Sequence, residues 1–226
     1  MATGGLIMRT TALLLGCLTF GLINTASGEG QTQLSSPKEA IANQFWGELY
    51  ASGGSTLYCG KSFEAGDSSV TASPIYSTKQ LKSAMRCITD RQCTIMNPKY
   101  PYIVSDLHNY YPALELVDQA RRNAQFDVVE GNASNKFANI NCAFKTGFQT
   151  AEPRDEVKGN VARALFYMHV EYELPLPTNT ATLKRWNQMD LPDLEEKSRN
   201  DRIAALQGTR NRFIDNPALA DQLITE

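Results

Sequence analysis

Four cysteines, Cys59, Cys87, Cys93 and Cys142, remain once an apolar leader is set aside, and in an exported chain an even set of thiols constrains the fold more than any other feature. The leader has its own pattern. Arg9 precedes an apolar run from Thr10 to Ile23 that is short for a bilayer span and suited to a secretory h-region. The small residues Thr25, Ala26, Ser27 and Gly28 follow it and offer cleavage sites. Residues 1–28 therefore read as a signal peptide that carries Cys17 away with it, and residues 29–226 as one secreted or periplasmic domain with no membrane segment after signal removal. Cys87 and Cys93 enclose only the loop Ile88 to Gln92 and form the natural local pair, which leaves Cys59 to join Cys142. With no C-x-x-C and no neighbouring histidine, these thiols do not read as metal ligands.

Around this frame the hydrophobic spacing is mainly helical. Ile41, Phe45, Trp46 and Leu49 recur at helical intervals between Pro37 and Ala51, with Ser36 as a cap, and Gln80 to Cys87 reads as a short helix. The Gly-, Ser- and Thr-rich stretch Gly53 to Ser77 holds β-like pieces at Thr56-Leu57-Tyr58 and Ser69-Val70-Thr71. Tyr100-Pro101-Tyr102 predicts an extended passage, Pro112 to Asn123 a helix, Phe126 to Val129 a strand, and Phe137 to Phe148 a mixed, partly β segment. Glu156 to Glu173 predicts a helix with Val157, Val161, Ala164, Leu165 and Met168 facing inward. A second helix opens at Thr178 and holds Leu183, Trp186 and Met189; a third starts at Pro192 and stops at Gly208. The series Glu195, Glu196, Lys197, Arg199, Asp201 and Arg202 reads as a solvated face of that third helix. The fold class that follows is α+β, helix-rich and stapled by disulfides.

Charge and histidine count narrow the chemistry. A formal net charge of −2 makes the molecule no polycation, so a polyanion would have to meet a local basic patch. Arg121 and Arg122, together with Arg210 and Arg212, are the candidates for a nucleic-acid track. Only two histidines occur, His108 and His169, so a histidine-based hydrolysis must use one of them. His108 lies in Asp106-Leu107-His108-Asn109 and reads as a hydrogen-bonded buttress, with a relocated base as the alternative; His169 reads as structural. Tyr110-Tyr111 reads as packing rather than base stacking, and Asn132-Ala133-Ser134 fits an acceptor pattern for glycosylation that a bacterial-looking leader makes idle. These features indicate an exported α+β protein and no particular reaction.

The order of motifs says more. Tyr58-Cys59-Gly60, the Cys87 and Cys93 loop, Asp106-Leu107-His108-Asn109 with Pro112-Ala113, and then Arg121 and Asn123 follow one another. Glu152-Pro153, Gly159, Ala162-Arg163-Ala164 and Tyr167-Met168 come next. Trp186, Glu196, Arg199, Arg202-Ile203, Gln207-Gly208, Asn211, Phe213 and Asp215 complete the series. In this order the chain resembles the endonuclease I family of secreted and periplasmic bacterial nucleases, across nearly all of the part that follows the leader. The resemblance implies a ββα-metal (His-metal finger) core, Mg²⁺ or another divalent cation as cofactor, DNA and secondarily RNA as partner, and a monomer.

Such a site needs a histidine base for water, one metal on the scissile phosphate and a basic side chain for the developing charge. Counted back without gaps from Cys87, the family's Glu-His pair falls on Ser73 and Pro74, and no histidine precedes His108. The family's metal-binding asparagine falls on Asp118, and the arginine of its cysteine loop falls on Asp90, with Arg91 beside it. The resemblance thus leaves His108 and Arg91 as catalytic candidates and Asp118 as the metal ligand. The expected function is divalent-metal-dependent phosphodiester hydrolysis, compromised by the missing pair. The alternative is a catalytically inactive relative serving as an exported module that binds nucleic acid or protein; a third reading is an exported structural protein without a nucleic-acid role.

Overall fold

In the computed structural model residues 1–2, 28–131 and 136–223 are described; the body of the expected signal peptide and the Asn132 motif lie outside the described residues. The first helical turn, α1 (Pro37–Glu39), is capped by the Ser36 side chain and runs directly into a π-helix, Ala40–Leu49. Helix was expected here, but its winding is wider: the Tyr50 N–H donates to the Phe45 carbonyl five residues back at 2.9 Å. The π-helix contributes Phe45 and Leu49 to a smaller core with Tyr50, Phe63, Leu107, Tyr110 and Ile203. Two short strands, β1 (Gly54–Ser55) and β2 (Ser62–Phe63), pair antiparallel. The β-like piece Thr56-Leu57-Tyr58 is instead the turn between them, closed by Thr56 N–H to Lys61 O and Gly60 N–H to Thr56 O, both 2.8 Å.

Next come β3 (Val70–Pro74), then α2 (Thr78–Ala84), started by a reciprocal Ser77–Gln80 capping box, and α3 (Asp90–Met96), capped by Thr89. The passage expected to be extended is α4 (Tyr100–Ile103), because Pro101 falls in a first helical turn, where its missing N–H leaves no bond unmade. A 3-10 turn, Leu107–Asn109, leads into β4 (Tyr110–Leu114) and then α5 (Glu115–Arg121). Pro112 thus belongs to a strand and not to the helix expected from there to Asn123. Its carbonyl faces away from β3 and accepts from Leu57 N–H at 2.8 Å, so the ladder loses nothing to its missing N–H. The third sheet has β5 (Gln125–Phe126) parallel to β7 (Thr150–Glu152), with β6 (Lys145–Thr146) antiparallel on the far side of β7.

The remaining mass is helical: α6 (Lys158–Tyr172), α7 (Thr180–Met189), α8 (Leu194–Gln207) and α9 (Arg212–Asp215). All five residues expected to face inward around α6, namely Val157, Val161, Ala164, Leu165 and Met168, are buried, with Leu183 and Trp186 of α7 beside them. Gly208 ends α8 in the left-handed conformation. The charge series on α8 is only partly solvated. Glu196 is buried in a two-pronged contact with Arg163 of α6 (2.5 and 2.9 Å), and Arg199 is buried with its guanidinium 3.9 Å from the centre of the Tyr111 ring. Both expected disulfides, Cys59–Cys142 and Cys87–Cys93, are formed. The result is the helix-rich α+β fold with small sheets that the spacing indicated; among the described residues no helix is long and apolar enough to cross a membrane.

Candidate active site

The antiparallel pair β3–β4 passes straight into α5, and this strand–strand–helix unit brings together the residues at issue. Register pairs Ser73 with Tyr111 and Pro74 with Tyr110. Asp118 and Arg121, three apart on α5, share the helix face turned to β3. Ser73 is fully buried, and its hydroxyl donates to Asp118 Oδ1 at 2.5 Å. Tyr58 Oη lies 2.9 Å from the same Ser73 oxygen, and with the serine proton committed to Asp118, Tyr58 is the donor. Burial pushes the Tyr58 phenol up, opposed by the neighbouring Arg121 charge. Positions assigned to the metal ligands by resemblance therefore do converge, as a closed hydroxyl–carboxylate contact.

Arg121 is not on the surface. Its guanidinium is enclosed, with Nη1 donating to Pro74 O (2.5 Å) and lying 3.5 Å from Ser73 Oγ, Nη2 donating to Ile75 O (2.6 Å), and Cζ 4.2 Å from the centre of the Phe126 ring. A phosphate track through Arg121 is thereby corrected: its donors hold the end of β3. The same charge weighs on the metal question. The donor set at the pair is one carboxylate and one neutral hydroxyl, with a guanidinium on that hydroxyl, and among the described residues no group of three or more His, Cys, Asp or Glu side chains could hold an ion. These residues do not fit a tightly bound divalent cation, which needs a fuller shell of oxygens and more negative charge.

The other candidates are dispersed. His108 is buried; its Nε2 donates to Thr209 O at 2.9 Å, its ring packs 4.6 Å from that of Tyr167, and its Nδ1 has no partner. Burial pulls its pKa down to about 4, against the pull of Asp106. Asp106 itself accepts from the Tyr167 hydroxyl, the Gln207 amide and the His108 backbone N–H, each at 2.8 Å. A base must reach the attacking water, and this enclosed ring, packed at the α6–α8 junction, has the surroundings of the hydrogen-bonded buttress that the sequence favoured over a relocated base. His169 Nδ1 donates to Leu174 O (2.5 Å) where α6 ends. Arg91 is exposed on α3, whereas Asp90 is held by the Tyr100 hydroxyl (2.5 Å) and Lys82 (3.0 Å).

Arg210 is spent on Asp201 and Asp215 (2.7 and 2.6 Å), and Arg212 contacts Glu171 (2.8 Å), so neither is an idle phosphate ligand. Arg122 is different. It caps α5 at φ +56°, a conformation that costs a non-glycine residue, and is exposed on the wall of an open groove of 850 Å³. Lys79 and Lys136 line the same groove, and Gln119, Asn123 and Gln149 add amides. Sequence reasoning missed the two lysines and the buried Tyr58 hydroxyl, since contacts between distant segments leave no local spacing to read.

A profile of the endonuclease I family matches residues 31–218. Among curated proteins, the extracellular ribonuclease of Bacillus amyloliquefaciens is 36% identical over 138 residues, 53% of this chain and 46% of that protein. An extracellular deoxyribonuclease of Aeromonas hydrophila is 34% identical over 114 residues, 49% of this chain and 48% of its own length. The Endonuclease-1 of Buchnera aphidicola subsp. Acyrthosiphon pisum is 28% identical over 133 residues, 57% and 49% of the two chains. The matches thus span about half the length of these relatives. With the family profile reaching across the strand–strand–helix unit and both disulfides, the chain belongs to the endonuclease I family.

Proposed function

We propose that this protein is an exported endonuclease I-type nuclease, residues 29–226 acting as one domain, that engages DNA, and RNA as a second class, along the groove beside α5. Its phosphodiester hydrolysis is far slower than that of a site holding both a base and a second metal carboxylate. One observation carries the reading: Ser73 and Asp118 occupy each other at 2.5 Å, with no imidazole in their hydrogen-bond network. Without a positioned base, roughly 10²–10⁴-fold of acceleration is forgone. Asp118 offers the carboxylate for Mg²⁺ or a similar ion, held weakly because Ser73 adds no charge. Lys79, Arg122 and Lys136 supply the cations that draw a phosphate backbone to a chain of net negative charge. The names of the ribonuclease and deoxyribonuclease relatives support the substrate class and the extracellular or periplasmic location.

The test is nicking of supercoiled plasmid in Mg²⁺, Mn²⁺ or Ca²⁺ against an EDTA control, run beside a binding titration in EDTA. Slow, chelator-sensitive nicking with clear binding is expected. Binding without any nicking identifies a non-hydrolytic member of the family, and the absence of both rejects the nucleic-acid reading.

A further inference from the structure

The tip of the β6–β7 hairpin holds a phenylalanine that packing does not explain. Phe148 is 90% exposed, more than any other aromatic side chain among the described residues. It is nevertheless held in a defined turn. Gly147 N–H donates to Thr150 O at 2.8 Å, the Thr150 hydroxyl donates to Phe148 O at 3.2 Å, and Gln149 adopts φ +56° between them. Gln149 O in turn accepts from Gln125 N–H at 3.1 Å, which ties the tip to β5. Gly147 lies close against Val129: a Cβ there would meet that side chain at 3.0 Å. The ring stands on the border of two hollows, the cationic groove with Lys79, Arg122 and Lys136, and a second with Arg185, Asp127 and Glu130.

We propose that Phe148 is a stacking platform for an unpaired nucleobase, so that the groove prefers single-stranded nucleic acid to duplex. This rests on the nucleic-acid reading above and narrows it. A ring presented on a fixed turn beside cations matches how single strands are bound, through bases stacked on aromatic faces and phosphates drawn to basic side chains. A duplex has no free base face to offer. The acidic pair Asp127 and Glu130 disfavours phosphate in the second hollow, so the strand's backbone lies on the Lys79, Arg122 and Lys136 side of the ring. Amide groups of Gln119, Asn123 and Gln149 in that groove hydrogen-bond polar edges of any base, which sets strandedness rather than sequence as the property read.

The experiment is fluorescence anisotropy in EDTA, with a labelled single-stranded oligonucleotide and its duplex, on the wild-type chain, Phe148→Ala, Phe148→Trp and Arg122→Glu. The wild type is expected to bind the single strand more tightly. Phe148→Ala should weaken that binding about ten-fold and leave the duplex within two-fold, and Phe148→Trp should restore it. Arg122→Glu should weaken both ligands. Equal affinity for the two ligands, or an unchanged Phe148→Ala, overturns the platform while binding lost in Arg122→Glu keeps the wider reading. No binding of either ligand by the wild type overturns both. Circular dichroism on each variant confirms that the exposed substitutions leave the fold intact.

Discussion

A hydroxyl can donate one proton and accept others, but it cannot take a proton from water at neutral pH, and at Ser73 even its donor is committed to Asp118. Putting charge and base back is therefore a direct test of what the site lacks. Ser73→Glu with Pro74→His should raise plasmid nicking by about 10²–10⁴-fold over the wild type, and should tighten Mg²⁺ binding measured by calorimetry, an effect that Asp118→Ala in the same background removes. Nicking by the wild type that is already vigorous, and that His108→Gln stops without loss of structure, would refute this account. His108 also makes a pH statement. Its folded pKa of about 4 lies below the ordinary 6.5, so below pH 6.5 the unfolded chain takes up a proton that the folded chain refuses. Stability should fall as pH drops from 6.5 to 4, by up to about 3 kcal/mol, and level off below that. Urea midpoints compared at pH 7 and 5 should converge in His108→Gln; a wild type equally stable at both would contradict the burial argument.

Among the elements, the two disulfides are expected to differ in weight. Cys59–Cys142 closes 83 residues and Cys87–Cys93 closes six. On chain entropy, replacing the first pair by alanine should cost about 4–5 kcal/mol and the second about 2 kcal/mol, read from denaturant midpoints. Both bridges were legible because thiol count and loop length are properties of the sequence. So were α6, α7 and α8, where apolar periodicity and the Gly208 stop are local signals. The elements misread are those whose conformation is decided from outside. Pro112 sits in a strand only because Leu57 meets its carbonyl on the far edge, and Glu196 is buried only because Arg163 reaches it from α6. At the site, gapless counting back from Cys87 led to Ser73 and the family resemblance led to Asp118, and these do meet; the burial of Arg121 depends on the Pro74 and Ile75 carbonyls, 47 and 46 residues earlier in the chain, and no spacing announces it.

Taken whole, the molecule carries a slight excess of negative charge, so attraction to a polyanion needs a local cluster of cations such as the groove offers. Three cations line it without an ion-pair partner on the protein, counting Lys79, Arg122 and Lys136 among the described residues. Single-strand affinity should then fall with salt at a log–log slope of about −2, since each phosphate neutralised contributes about −0.7. A slope near zero in a titration from low to moderate salt would mean that the groove does not hold the backbone. The long bridge has one more consequence. The segment from Cys59 to Cys142 contains β3, β4 and α5 in full, so the strand–strand–helix unit lies inside a covalent ring. A single protease cut in the exposed Glu130–Gly131 stretch would therefore leave both halves of the molecule tethered, and the break would show as two fragments only after reduction.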